Sequence, residues 1–230
     1  MKGKLVGGLL IIVCLLMGVN MITFAEEILC GGDIPVGNDY QMTPEEEKAI
    51  EEKLEALEIW KNQRAQSTFA TIGVPCYQQE NRNYCGPATV KQVVQYLNGT
   101  SQPQKYYADL LGTNEKGTVQ SKIATVLRNV TGKNYQYYPF EGIGKWTDCV
   151  CWGIDFKMPA ILDINTEWVP EWKYETRGHF LNVSGYDLRN TAKKQIRVTD
   201  PFWEGLGNNW YTLNSVFNAN NNHGNRAIVW

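Results

Sequence analysis

Cys85 is followed by Gly86 and Pro87 and then by apolar residues at helical spacing, which places its thiol at the N-terminal end of a helix. Backbone N–H groups and the positive end of the helix dipole stabilise an anion there, so the thiol is expected to ionise below its ordinary pKa of about 8.5. A thiolate is a nucleophile. Three further residues supply the other parts that acyl transfer through a cysteine needs. Gln79, six positions before Cys85, can return its side-chain amide to donate to an oxyanion. His179 opens the strand-like run HFLNVSGY and can act as general base, and Asp200, 21 residues later, ends the strand-like run QIRVTD and can orient the imidazole.

Each of these residues has a plainer explanation when taken singly. A buried cysteine is a common small apolar filler. A histidine in an apolar strand can be a satisfied core residue, and Asp200 before Pro201 can be a turn that ends a strand. Gln78 competes with Gln79 for the oxyanion role. The other histidine, His223, sits in the Asn-rich stretch ANANNNHGN and reads as a solvated loop residue. The four-residue conjunction carries the chemical reading.

That conjunction resembles the papain-like cysteine peptidases, most closely family thirty-nine, the double-glycine-leader or bacteriocin-processing peptidases and their stand-alone secreted relatives. The resemblance runs through Gln79, Tyr84 to Ala88, Gly178-His179-Phe180 with Gly185-Tyr186, and Asp200-Pro201, over roughly residues 76 to 230. It implies a Cys85 nucleophile, a His179 base, an Asp200 orienter and a Gln79 oxyanion donor, with no metal or organic cofactor. No transporter or nucleotide-binding segment accompanies these motifs, so a secreted, stand-alone member is implied. Two rivals remain: a cell-wall peptide amidase or transglutaminase-like acyltransferase built on the same site, and a peptide- or glycan-binding module without turnover.

The elements that must position these residues are legible from periodicity. Thr43, Pro44 and Glu46 form a helix start with a capping box, followed by Ile50, Leu54, Leu57 and Trp60 on one face. Helical patterns follow over 87–97, 106–111 and 118–130, and Gly99 and Gly132 stand at two of their ends. Strand-like runs then occupy 135–140, 159–164, 179–186, 195–199, 210–213 and 227–230. Helices followed by strands indicate an α+β fold. With the resemblance, this becomes a papain-like two-lobe fold in which a helical lobe carrying Cys85 packs on an antiparallel β-sheet lobe carrying His179 and Asp200.

Residues 1–25 carry Lys2 and Lys4, an apolar run and a Thr23-Phe24-Ala25 site, the pattern of a secretory signal peptide, although a retained N-terminal anchor is the rival reading. Residues 26–68 form a leader and an acidic amphipathic helix, either an N-terminal cap or a removable propeptide, and the peptidase-like domain spans 69–230. The formal charge is −2, more acidic once Lys2 and Lys4 are removed, with no basic block, so nucleic acid is not an expected partner. A soluble extracellular protein acting on a peptide or protein substrate is expected; the oligomeric state is left open.

Five cysteines follow residues 1–25. Sparing Cys85, the remaining Cys30, Cys76, Cys149 and Cys151 allow two disulfides or four reduced thiols; Cys149 and Cys151 are too close in sequence to bridge each other without strain. Cys149 and Cys151 lack a second spaced pair for a metal. Among eight tryptophans, Trp168 and Trp172 in NTEWVPEWKY are candidates to line the cleft and grip substrate, whereas Trp146, Trp152, Trp210 and Trp230 are assigned to packing.

Overall fold

A computed structural model describes residues 33–34, 40–63 and 67–230. The signal-peptide pattern of residues 1–25 and Cys30 lie outside the described residues. In chain order the elements are β1 (Asp33–Ile34), α1 (Pro44–Gln63), β2 (Phe69–Thr71), α2 (Cys85–Asn98), α3 (Gln104–Leu111), β3 (Thr118–Val119), α4 (Gln120–Thr131), β4 (Tyr137–Pro139), α5 (Gly142–Asp155), β5 (Ile161–Ile164), β6 (His179–Asp187), β7 (Gln195–Asp200), β8 (Gly207–Thr212), α6 (Leu213–Asn222) and β9 (Ala227–Val229). The main sheet has the order β4-β9-β5-β6-β7-β8, with β2 also on β6, and every pairing in it is antiparallel. This is the expected α+β architecture.

The sheet brings the general-base candidate and its partner to one end. His179 is the first residue of β6 and Asp200 the last of β7, and these neighbouring strands run in opposite directions, with Asn182 opposite Thr199. Residues 179–186 are all buried, so β6 is a central strand with both faces covered. Helix α2 covers one of its faces. Val90, Val93 and Val94 join the apolar cluster that also holds Phe180, Leu181 and Val183, so helices and sheet share one continuous core.

The capping box of α1 forms as expected: Glu46 N donates to Thr43 Oγ1 and Thr43 N to Glu46 Oε2, each at 3.2 Å. This helix is seated on α4 and α5. Ile50 and Leu57 are buried, Glu46 pairs with Arg128 at 3.1 Å, Lys61 with Asp148 at 2.7 Å, and Trp60 Nε1 donates to Asp155 Oδ2 at 3.2 Å.

One member of that seat is unusual. Lys53 is buried, donates to Asn134 O at 2.6 Å, and places its Nζ 4.6 Å from the Trp230 ring and 5.0 Å from that of Trp152. Burial pushes its ammonium down from 10.5 to about 7, although the ring faces favour the cation and offset part of that cost. Between about pH 7 and 10.5 the unfolded chain therefore binds more protons than the folded one, and stability rises with pH across that window. Lys53→Met is expected to raise stability at pH 7 by about 1–4 kcal/mol, with the gain shrinking towards pH 10. Thermal melts of both proteins across this range check the prediction; a variant less stable at pH 7 would contradict it.

Two helices depart from the sequence expectation. The α5 segment, GIGKWTDCVCWGID, buries Trp146, Cys149, Val150, Cys151, Trp152 and Ile154, so its apolar residues leave no clean stripe to read. The Asn-rich stretch expected as loop is α6, whose N-cap Thr212 accepts from Ser215 N at 3.3 Å. Its Asn220 is buried, accepting from Trp146 Nε1 at 2.8 Å and donating to Asp163 O at 2.7 Å. His223 is consequently buried rather than solvated, with Nδ1 3.7 Å from Asp163 Oδ2. Trp210 is also not core: it lies on the outer strand β8, 38% exposed, and stacks on Phe69. The four described cysteines, Cys76, Cys85, Cys149 and Cys151, are thiols and form no bridges with one another.

Candidate active site

Helix α2 begins at Cys85 itself, two residues before the expected start. Its N-cap, Tyr84, makes no side-chain cap, so no side chain of the cap residue competes for the first-turn N–H groups. Gly86 is demanded by a close approach, because a Cβ there would lie 2.6 Å from Thr118 Oγ1. Thr118, at the start of β3, thus sets how closely the head of α2 packs.

The face of α2 that carries Cys85 is locked along β6 by polar side chains. Thr89, one turn on, donates through Oγ1 to Phe180 O at 3.0 Å, and Asn182 Nδ2 donates to Gln92 Oε1 at 2.7 Å. Positions 85, 89 and 92 share one helix face. Since Gln92 meets Asn182 and Thr89 meets Phe180, the preceding turn brings Cys85 towards the His179 end of the strand.

His179 and Asp200 are both fully buried, with Nε2 and Oδ1 2.8 Å apart. A carboxylate accepts, so Nε2 carries the proton and Nδ1 presents its lone pair. Nδ1 is buried and has no partner among the described residues. The imidazole therefore has one nitrogen tied to Asp200 and the other available to take a proton. Asp200 accepts two more bonds, from Phe202 N to Oδ1 at 2.8 Å and from Tyr174 Oη to Oδ2 at 2.6 Å.

Gln79 lies buried on a loop pinned to the Asp200 segment, its backbone N donating to Pro201 O at 2.9 Å. Cys76 Sγ donates to Asp200 O at 3.2 Å in the same region, and burial raises that thiol's pKa. Buried Gln104 clamps both flanks of Gln79, donating to Gln78 O at 2.7 Å and accepting from Glu80 N at 3.0 Å. The Gln79 amide itself donates to Asn81 O at 2.9 Å and Arg82 O at 3.2 Å, within its own loop. Its Oε1 is buried without a partner among the described residues.

The two tryptophans separate. Trp168 is 92% exposed, with a φ of 62°, on the loop between β5 and β6. Trp172 is partly buried against the core, stacked on Tyr211 at 4.3 Å and donating through Nε1 to Ser215 O at 3.4 Å. No group of three or more metal-ligating side chains occurs among the described residues.

A model of the Peptidase_C39 like family matches residues 71–228, a span that contains Gln79, Cys85, His179 and Asp200. The chain belongs to this family. It is thus a cysteine peptidase by class, as its motifs imply. Among solved structures, the peptidase domain of Streptococcus ComA, a bi-functional ABC transporter involved in a quorum-sensing pathway, aligns at 17% identity over 68% of this chain and 96% of its own, with a TM-score of 0.47. Bromelain from Ananas comosus, in complex with the E64 inhibitor, aligns at 13% identity over 72% of this chain and 98% of its own, with a TM-score of 0.49. No curated protein matches the chain.

Tyr174 and Gln104 were not legible as parts of this Peptidase_C39 like site. Tyr174 is one aromatic residue in an aromatic-rich stretch, and Gln104 opens a helix 24 residues after Glu80. Neither has a local spacing that marks it.

Proposed function

We propose that this protein is a secreted peptidase that hydrolyses peptide bonds through Cys85, His179 and Asp200, with Gln79 assisting at the oxyanion. The observation that carries the reading is the buried His179–Asp200 pair, whose Nδ1 is left available beside the strand that the Cys85 helix covers. His179 Nδ1 takes the Cys85 proton, and the thiolate attacks the substrate carbonyl to form a C–S bond. Cys85 N–H and the Gln79 amide meet the oxyanion, Gln79 yielding its longer bond to Arg82 O. The imidazolium then gives its proton to the leaving amine as the C–N bond breaks, and His179 next activates water to hydrolyse the thioester.

Trp168 is the tryptophan available to contact substrate, since Trp172 is engaged with Tyr211 and Ser215. Helix α1 stays with the domain as a cap, supported by its buried Ile50, Lys53 and Leu57. Secretion rests on the leader pattern of residues 1–25. No described helix is long and apolar enough to cross a membrane.

Peptide libraries incubated with residues 26–230 and analysed by mass test the reading. New amino termini that depend on Cys85 support it, whereas acyl products joined to an added amine indicate transfer instead. Gln79→Ala is expected to lower kcat by about 10²–10³, and unchanged turnover would remove Gln79 from the scheme.

A further inference from the structure

Asp200 is held from its far side by a residue that lies outside the Cys85-His179-Asp200 set. Tyr174 donates to Oδ2 at 2.6 Å while His179 engages Oδ1 at 2.8 Å, so the carboxylate is gripped at both oxygens. The Tyr174 ring stands edge-on to His179, with centroids 5.8 Å apart, and packs on Phe202 at 4.6 Å. Its backbone is anchored by Thr166, whose Oγ1 donates to Tyr174 O at 2.9 Å. Gly205 completes the arrangement: a Cβ there would lie 2.5 Å from Asp200 Oδ2 and 2.5 Å from Tyr174 Cε1. The absence of a side chain at Gly205 is what lets phenol and carboxylate meet.

We infer that Tyr174 is a positioning residue of the active site. It fixes the Asp200 carboxylate in the plane that accepts His179 Nε2–H, and it thereby keeps Nδ1 as the ring nitrogen without a hydrogen-bond partner among the described residues. Without the phenol, Oδ2 is a buried carboxylate oxygen lacking that donor, and the carboxylate turns to recover one. The inference rests on the triad reading above for its consequence in turnover, but not for the geometry itself. The titratable groups facing Asp200 are His179 from β6, Tyr174, Cys76 from the segment before Gln79, and Tyr211 from β8.

The test compares wild type, Tyr174→Phe and Gly205→Ala, with thermal melts to verify folding. Proton and ¹⁵N NMR of the ring N–H groups is tractable because the chain has 2 histidines. The wild-type His179 Nε2–H signal is expected downfield and protected from solvent exchange. Tyr174→Phe should move it upfield and speed its exchange, and should lower kcat about tenfold with KM within about twofold. Gly205→Ala, which forces the same pair apart from the other side, should act in the same direction. An Nε2–H signal unchanged in both folded variants overturns the inference whatever happens to turnover. If the signal depends on Tyr174 but the wild type shows neither turnover nor Cys85-dependent labelling, the positioning role stands and the peptidase mechanism falls.

Discussion

Cys85→Ala is expected to abolish peptide hydrolysis, lowering kcat by about 10⁵–10⁶, the scale on which loss of an acyl-transfer nucleophile is felt. The fold should survive, because alanine keeps the Cβ and its helix preference at the start of α2. The loss from the core is one buried sulfur, which costs on the order of 1 kcal/mol. The variant should still bind substrate, so a complex stable enough for calorimetry is expected with any peptide the wild type cleaves. Neither Cys149 nor Cys76 is activated to replace it. Cys149 is buried and its thiol is pushed up to about 12, largely by desolvation, and burial also raises Cys76. Residual hydrolysis in a preparation free of wild type would move the nucleophile away from Cys85.

Asp200→Ala is expected to damage catalysis and stability together. Three donors converge on the carboxylate, His179 Nε2, Phe202 N and Tyr174 Oη, and all three would be left buried without their acceptor. Breaking a buried pair of this kind costs about 3–5 kcal/mol, and misorientation of the general base costs a further 10²–10⁴-fold in kcat, roughly. Asp200→Asn provides the contrast. Its Oδ1 can still accept from His179 and Phe202, and its amide can donate to Tyr174 Oη once the phenol turns to accept. A smaller loss of both activity and melting temperature is therefore expected for asparagine than for alanine. Urea denaturation and steady-state kinetics on both variants measure this; an alanine variant as stable and active as the asparagine one would contradict the convergent geometry.

Local signals carried most of the fold. The Thr43–Glu46 capping box forms as its residues predict, and α2 and α4 end at Gly99 and Gly132 with left-handed backbones. The six strand-like runs correspond to β4 through β9, since β-branched and aromatic residues alternate or cluster there between turn residues. What failed was burial on several sides. In α5 tryptophans, cysteines and valine are buried around much of the helix, so no polar face betrays the period. In α6 a run of asparagines reads as loop by propensity, yet tertiary contacts from Trp146 and Asp163 to Asn220 override it.

The site divided in the same way. Cys85, His179 and Asp200 were legible because each sits at an element boundary with a marked neighbour, Gly86-Pro87, Gly178 or Pro201, whereas Gln79 lies within the loop before α2 and was marked by its spacing from Cys85. Their supports were not. The Tyr174–Asp200, Gln104–Gln78 and Asn182–Gln92 bonds join residues 26, 26 and 90 positions apart. Such bonds depend on how elements pack, and a single sequence has no periodicity that records them. The two tryptophans of NTEWVPEWKY share a stretch before His179 that suggests one cleft role for both, whereas packing stacks Trp172 on Tyr211 and leaves Trp168 exposed.

If His179 draws the proton from Cys85, the alkylation rate of Cys85 against pH reports the transfer. The measurement uses mass spectrometry on residues 26–230, in wild type and in His179→Ala. Rapid labelling at Cys85 is expected to persist down to about pH 5–6 in wild type and to collapse in the variant. Labelling that rises only near pH 8.5, or that is the same with and without His179, would contradict it.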